Sequence, residues 1–233
     1  MCIRDRFKAG GALAAVNISL FIALIFLFPY LDIKKKYQKF NTKKVYVFSF
    51  ITLVALVLVT MIYSLDVFLV KHFFDAISAG HYAALSLLGK IVFFGGTAIG
   101  LVMFPKISGE KSRKKSKKIL KKSIIFSVII MAAIVLLYAF FSKTIVDLIF
   151  GSSYLEIYPL LFKFGIAMMF LSFSYLIVLQ KLAEGKTKFI YLLMSAVLLE
   201  ITAIALFHQS LDQVVNIMMI LNIPLTLGLS LTK

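Results

Sequence analysis

The stretch VYVFSFITLVALVLVTMIYSLDVFLV (Val45–Val70) is 26 residues long and carries a single charge, Asp66. A helix needs about 20 apolar residues to cross the hydrocarbon core of a bilayer, which is about 30 Å thick. Strands of a membrane barrel are about ten residues long and alternate polar with apolar side chains. This stretch is twice as long and does not alternate. It therefore predicts a membrane-spanning helix.

Six other apolar runs resemble this one in length and composition. Apolar residues make up 61% of the 233-residue chain and charged residues 15%, against about 45–50% and about 25% in a soluble domain. Backbone polar groups in lipid must be hydrogen-bonded internally, which favours helices here. We predict an all-α, polytopic membrane protein with about seven transmembrane helices. The other runs are 10–31, 79–104, 122–142, 156–180, 188–208 and 212–231.

The net charge of +16 is concentrated in short gaps between these runs. Of the 26 basic residues, 19 lie in or beside the gaps 32–44, 105–121 and 181–187, or at the C-terminus. Basic residues in short loops mark the cytoplasmic side of a membrane protein. The sequence thus predicts a multi-pass protein of a bacterial or archaeal cytoplasmic membrane, with these gaps and the C-terminus inside. Anionic membrane lipids, and not nucleic acid, are the predicted partners of this charge.

The most basic segment is ISGEKSRKKSKKILKKS (Ile107–Ser123). It is predicted to form a solvated cytoplasmic loop, or an interfacial helix held by anionic lipid. A specific partner site is the alternative. Its densest charges are Arg113, Lys114, Lys115, Lys117 and Lys118.

Four charged residues fall inside the predicted spans: Asp66, Lys90, Lys163 and Glu200. Charges in a span are costly, and they usually face a cavity or a partner. All four lie near the midplane or in the outer half, so they could form one polar cavity or two unrelated ion pairs. A cavity role is favoured for Asp66 and Lys90, and snorkelling to the outer interface for Lys163. For Glu200 the sequence favours neither a cavity role nor an unrelated ion pair over the other.

Small residues and prolines carry further structural predictions. Gly95, Gly96 and Gly100 lie in KIVFFGGTAIG, and the last two form a G-x-x-x-G pair. Such spacing lets helices approach closely, so these glycines are predicted to pack against a neighbouring helix. Pro105 is predicted to end the same helix before the basic gap.

No pattern of residues indicates catalysis. The only cysteine is Cys2, and the three histidines lie far apart without metal-ligand spacing. The gaps are short and lack the acidic or histidine-rich clusters that a membrane transferase would need. We therefore predict no metal, no cofactor and no enzymatic activity.

The segment Ser64–Ser108 resembles polysaccharide and oligosaccharide flippases of the multidrug/oligosaccharidyl-lipid/polysaccharide exporter superfamily. The shared pattern is an Asp late in one helix, a short outer turn, and a second helix with a central Gly-Lys and a Phe-Pro-Lys end. The residues that carry it are Asp66, Ala79, Gly80, Tyr82, Gly89, Lys90, Phe104, Pro105 and Lys106.

This resemblance implies two six-helix lobes that rock to expose a central cavity to each face in turn. The implied substrate is an oligosaccharide on a polyprenyl diphosphate. The chain would supply the last helix of the first lobe (7–31), a basic linker (32–44) and the second lobe (45–233). The chain would then be a fragment, and its partner would be the missing N-terminal lobe of the parent chain. Lys90 is the expected ligand of the diphosphate, and Asp66 its counter-charge or an ion-coupling site.

Two other functions are compatible with the sequence. One is a related exporter of lipid-linked peptidoglycan precursor or of drugs. The other is a membrane scaffold that transports nothing.

The first six residues, MCIRDR (Met1–Arg6), do not fit a signal peptide, because the apolar run that follows is span-length and precedes a basic inner gap. They also place positive charge on the predicted outer side. The six residues match the in-frame translation of a transposase adapter used in sequencing libraries. We interpret them as non-native, with native sequence from about Phe7.

Overall fold

Helices account for nearly all of the structure, a computed structural model that describes residues 8–27, 42–110 and 112–232. The described residues contain no strand, and the all-α prediction is confirmed. A 3-10 helix, Ser152–Ile157, precedes the fifth α-helix. The α-helices are α1 (Lys8–Leu27), α2 (Thr42–Phe73), α3 (Ala76–Ser108), α4 (Arg113–Phe150), α5 (Tyr158–Ala183), α6 (Phe189–Leu206) and α7 (Leu211–Leu231).

Six segments in the described part of the chain are long and apolar enough to cross a membrane, which confirms a polytopic membrane protein. They correspond to α2 through α7, and α1 contributes a shorter apolar stretch, Ala14–Phe26. The chain divides into two units, residues 1–42 and 43–233. The interpretation of Met1–Arg6 and most of the predicted linker 32–44 fall outside the described residues.

The connection between α2 and α3 is very short, since only Phe74 and Asp75 separate the two helices. The Asp75 carboxylate accepts hydrogen bonds from the backbone N–H groups of Ile77 and Ser78, at 3.0 and 3.2 Å. A cap of this kind satisfies N–H groups that have no partner inside the helix. The hydrogen bonds from Ser78 favour the charged form and lower the pKa of Asp75 below its ordinary value.

The end of α3 differs from the prediction, because the helix continues past Pro105 to Ser108. A proline removes one backbone N–H and clashes with the preceding turn, which is most costly in a helix interior. Near the end of a helix a proline disrupts fewer backbone hydrogen bonds. The carbonyl of Pro105 still accepts a hydrogen bond from the N–H of Gly109 at 3.1 Å.

The predicted gap 105–121 is also mostly helical, since α4 begins at Arg113. The side chains of Lys114, Lys115, Lys117 and Lys118 are exposed on its first turns. Lysine and arginine are good helix formers, and their charge does not interrupt the backbone hydrogen bonds. The helix runs on for 38 residues, with a local departure from helical geometry at Phe141 (φ −123°, ψ 16°).

Within the second unit, α5 packs against α3, α4 and α7, and α6 packs against α7. Side-chain hydroxyl groups join the helices at the centre. Ser172 on α5 donates a hydrogen bond to the carbonyl of Phe93 at 3.2 Å. Tyr138 on α4 donates to the carbonyl of Leu88 at 2.7 Å. Both bonds therefore hold α3 against its neighbours and satisfy the two buried hydroxyl groups that donate them.

The glycines of α3 lie where neighbouring helices approach most closely. A methyl group on Gly96 would lie 2.1 Å from Ser172 Oγ and 2.6 Å from Met131 Sδ. Gly100 faces two leucines of α5, and Gly95 faces two isoleucines of α4 at 3.3 Å. Close approach increases the dispersion contacts that hold helices together in lipid.

The loops that connect the helices of the second unit lie at its two ends. The short turns 184–188 and 109–112 lie at the same end, where Ser108, Glu110 and Lys186 line one polar pocket. Lys181 donates a hydrogen bond to the carbonyl of Thr232, which places the end of α7 there as well. The described parts of the basic gaps 105–121 and 181–187 and the end of α7 thus lie at one end of the unit, as alternation of helix direction requires.

Replacement of Gly96 by alanine is expected to destabilise the protein by about 1–3 kcal/mol, because the added methyl group overpacks a junction of three helices. Thermal unfolding in detergent measures the change. The matched control is Gly80→Ala on the same helix, where nothing lies within 4 Å of the new methyl group. That variant should be as stable as the parent or slightly more stable. Equal destabilisation by the two changes would contradict this account of α3 packing.

Candidate functional site

The most deeply buried charged side chain is that of Asp66, whose exposed fraction is 0%. The Tyr82 hydroxyl donates a hydrogen bond to Asp66 Oδ2 at 3.0 Å. The other carboxylate oxygen, Oδ1, has no hydrogen-bond partner within the described part of the chain. Asp66 and Tyr82 meet because α2 and α3 run in opposite directions from their short connection, at similar distances from it. Tyr82 is a functional candidate that the sequence prediction missed.

A second buried acid, Glu200 on α6, lies within electrostatic reach of both Asp66 and Tyr82. Its exposed fraction is 2%, and its Oε1 atom makes no hydrogen bond to any described residue. Two neighbouring carboxyl groups in an apolar setting cannot both carry an unpaired charge at low cost. The described residues contain no group of three or more potential metal ligands.

Lys90 on α3 is the cationic member of this region and attracts the Asp66 carboxylate. It is half-buried, and its Nζ atom lies 5.5 Å from the centroid of the Tyr63 ring. A lysine over an aromatic face gains about 0.5–2 kcal/mol, more when it is shielded from water. The structure therefore brings together three of the four predicted intramembrane charges. We call Asp66, Tyr82, Lys90 and Glu200 the polar cluster.

The fourth predicted charge, Lys163, has a different partner. Its Nζ atom lies 2.8 Å from Asp212 Oδ1, and both side chains are nearly half exposed, at 43% and 46%. Asp212 also accepts a hydrogen bond from Asn216 at 2.8 Å. The pair joins the early part of α5 to the first turn of α7. Sequence reasoning missed Asp212, although an acid in the first turn of a helix is a recognisable signal.

An open groove of about 320 Å³ lies between α2, α3 and α5, beside the polar cluster. Tyr63 belongs to both features, because its ring lies under Lys90 and lines the groove. The ring of Tyr63 packs on Phe93 at 5.1 Å between centroids, and Phe93 in turn lies 6.0 Å from Tyr175. We call this the aromatic groove. Its lining residues are Leu56, Val59, Thr60, Tyr63, Phe93, Phe94, Thr97, Leu101 and Tyr175.

The fold and the polar cluster define a polytopic membrane protein with ionisable groups in its interior, as in proteins that handle polar solutes in the bilayer. A family model described as "Polysaccharide biosynthesis protein" matches residues 12–159, more than half of the chain. The chain belongs to this family, which confirms the predicted relationship to polysaccharide biosynthesis proteins. No curated protein and no solved structure matches the chain. The matched region contains Asp66, Tyr82 and Lys90, and Glu200 lies beyond it.

Tyr82→Phe is expected to destabilise the protein by about 1–3 kcal/mol, because it removes a hydrogen-bond donor from a buried carboxylate. In an Asp66→Leu background the same change should cost less, by at least about 0.5 kcal/mol, since no carboxylate remains to be satisfied. Thermal unfolding of the four proteins in detergent gives this double-mutant cycle.

Tyr138→Phe is the matched control for that cycle. Tyr138 is also a buried tyrosine that donates a hydrogen bond, but the acceptor is the Leu88 carbonyl. Its replacement should cost the same with and without Asp66→Leu. If Tyr82→Phe were equally insensitive to the background, the hydrogen bond to Asp66 would contribute nothing to stability.

Proposed function

We propose that this chain forms part of a transporter that flips a polyprenyl-diphosphate-linked oligosaccharide across the cytoplasmic membrane by alternating access. The observation that carries the proposal is Lys90, a cation near the middle of a membrane helix that lies over Tyr63, a lining residue of the aromatic groove. Membership of the polysaccharide biosynthesis family supports a sugar-containing substrate. Residues 43–233 would act as one lobe of a two-lobe transporter, with the basic end in the cytoplasm.

Lys90 would bind the diphosphate. A diphosphate that crosses the bilayer centre needs a cationic partner, since an unpaired charge there costs several kcal/mol. Tyr63 holds the Lys90 Nζ by its aromatic face without neutralising it. Lys90 as a residue is half-buried and not sealed in the core, which would leave it accessible to a ligand.

The aromatic groove would receive the apolar and sugar portions of the substrate. Ligand sites are lined mainly by apolar and aromatic side chains with a few placed polar groups. The hydroxyl groups of Thr60, Thr97 and Tyr175 supply polar contacts between the aromatic faces. A groove with this lining tolerates sugars of different structure, because the aromatic faces contact rings without fixed hydrogen-bond geometry.

Asp66 and Glu200 would couple transport to cation binding. In the absence of a cation, the Asp66 carboxylate attracts Lys90 and competes with an anionic substrate. A proton or metal cation bound between the two acids neutralises this attraction. Lys90 is then free to bind the diphosphate. The proposal involves no covalent step, and the polar cluster acts through binding alone.

Lys90→Ala in a full-length two-lobe transporter that contains residues 43–233 is expected to slow flipping by about tenfold or more, the loss of about 1.4 kcal/mol or more of ion pairing. Lys90→Arg should retain most activity because it keeps the charge. The assay follows the accessibility of the sugar headgroup of a polyprenyl diphosphate in vesicles. Lys163→Ala is the matched control, because it removes a lysine that pairs with Asp212 outside the polar cluster. An unchanged rate in Lys90→Ala would refute the role of Lys90.

A further inference from the structure

A second groove, of about 540 Å³, runs between α3 and α4. It lies on the face of α3 opposite the aromatic groove, because its residues on α3 are offset by about half a helical turn. We call it the α3–α4 groove. Its lining residues are Ala98, Ile99, Val102, Met103 and Lys106 on α3, and Ile119, Lys122, Ser123, Phe126 and Ile130 on α4.

The polarity of the α3–α4 groove changes along its length. The positive charges are Lys106 and Lys122, with the hydroxyl group of Ser123 beside them, and all three lie toward the basic end of the unit. The remaining lining residues are apolar. A ligand that fits this gradient carries an anionic group at one end and a hydrocarbon chain at the other.

The length of the groove matches one leaflet of a bilayer. Its lining extends from Lys106 to Ala98 along α3 and from Ile119 to Ile130 along α4, which is about 12 Å and about 16 Å at 1.5 Å per residue. Half of the hydrocarbon core is about 15 Å thick. With Lys106 and Lys122 at the height of the headgroups, the groove would end near the bilayer centre.

The apolar part of the groove is open sideways. Val102 and Phe126 line it and are 58% and 61% exposed. A lipid could thus enter from the surrounding membrane without any opening of the helix bundle. Neither Lys106 nor Lys122 has an acidic partner among the described ion pairs, so both are available to an anion.

We propose that the α3–α4 groove binds one anionic phospholipid of the adjacent leaflet. The phosphate lies between Lys106 and Lys122, and one acyl chain lies along the apolar walls of α3 and α4. Basic side chains near an anionic membrane surface attract its lipids. The apolar groove adds contacts to the acyl chain, which hold one lipid at a single position. The inference goes beyond the proposed transport function and does not depend on it.

Two observations favour a phospholipid over other occupants. The groove ends after about one leaflet, which suits an acyl chain better than a longer polyprenyl chain. The exposed lysines 114, 115, 117 and 118 lie on α4, the helix that also carries Lys122, but they do not line the groove. A diffuse attraction of lipids would involve these lysines as much as Lys106 and Lys122, whereas the proposed site uses only the latter two.

The test measures phosphatidylglycerol bound to the full chain in detergent by native mass spectrometry, with phosphatidylcholine as the neutral comparison. The unmodified protein should retain one phosphatidylglycerol more tightly than phosphatidylcholine. The double variant Lys106→Ala/Lys122→Ala should lose about 30-fold in affinity, about fivefold per lysine. Lys114→Ala/Lys115→Ala removes the same amount of charge from α4 outside the groove and should change affinity less than threefold. Equal losses in the two double variants, or no preference for phosphatidylglycerol, would overturn the proposal.

A second variant tests the apolar part without a change of charge. Ala98→Phe fills the groove and should weaken phosphatidylglycerol binding about tenfold by excluding methylene contacts. Ala133→Phe adds the same side chain at an exposed position of α4 outside the groove and should have no effect. If inorganic phosphate or a polyprenyl phosphate displaced the bound lipid more effectively than added phosphatidylglycerol, the occupant would not be a phospholipid.

Discussion

The structure depends on one constraint, which is that the hydrocarbon core offers no water to hydrogen-bond a polar group. Backbone groups are therefore satisfied within helices, and hydroxyl groups such as that of Tyr138 find a carbonyl on the next helix. The same constraint makes every buried charge conspicuous. Asp66 is held by Tyr82, and yet one of its oxygens and one oxygen of Glu200 lack a hydrogen bond among the described residues. The other buried side-chain atoms without a partner in the described part of the chain belong to Ser86, Ser127 and Asn222, which are neutral. The two acids therefore carry the larger cost of desolvation, which marks them as candidates for a functional role.

The helices could be predicted from the sequence because their cause is local. An uninterrupted apolar run such as Val45–Val70 has few alternatives in a membrane, and each predicted run contains most of one helix. The ends of the helices were predicted less well. Pro105 lies inside α3, and the lysines from Lys114 onward lie inside α4. Water satisfies backbone groups and charges equally well at the interface, so composition alone does not determine where a helix stops.

The polar cluster could be predicted only in part. Asp66, Lys90 and Glu200 stood out because a charge in an apolar run is rare. Their assembly depends on which faces of α2, α3 and α6 meet, and no pattern within one helix reports that. For the same reason Lys163 was considered with the cluster, although it pairs with Asp212 on α7, 49 positions later. Tyr82 was overlooked as a site residue because a tyrosine in a membrane helix is ordinary until its partner is known.

Helix α3 contributes to the polar cluster and to both grooves. One face carries Lys90 and the wall of the aromatic groove, and the opposite face lines the α3–α4 groove. Close packing at Gly96 makes it difficult for the helix to shift without moving α4 and α5. Two ligands that bind opposite faces of one rigid element are thermodynamically linked whenever that element moves. The linkage is reciprocal, so that each ligand changes the affinity for the other by the same factor. Membrane composition would then act as an allosteric effector of substrate binding, and substrate binding would in turn change which lipids surround the protein.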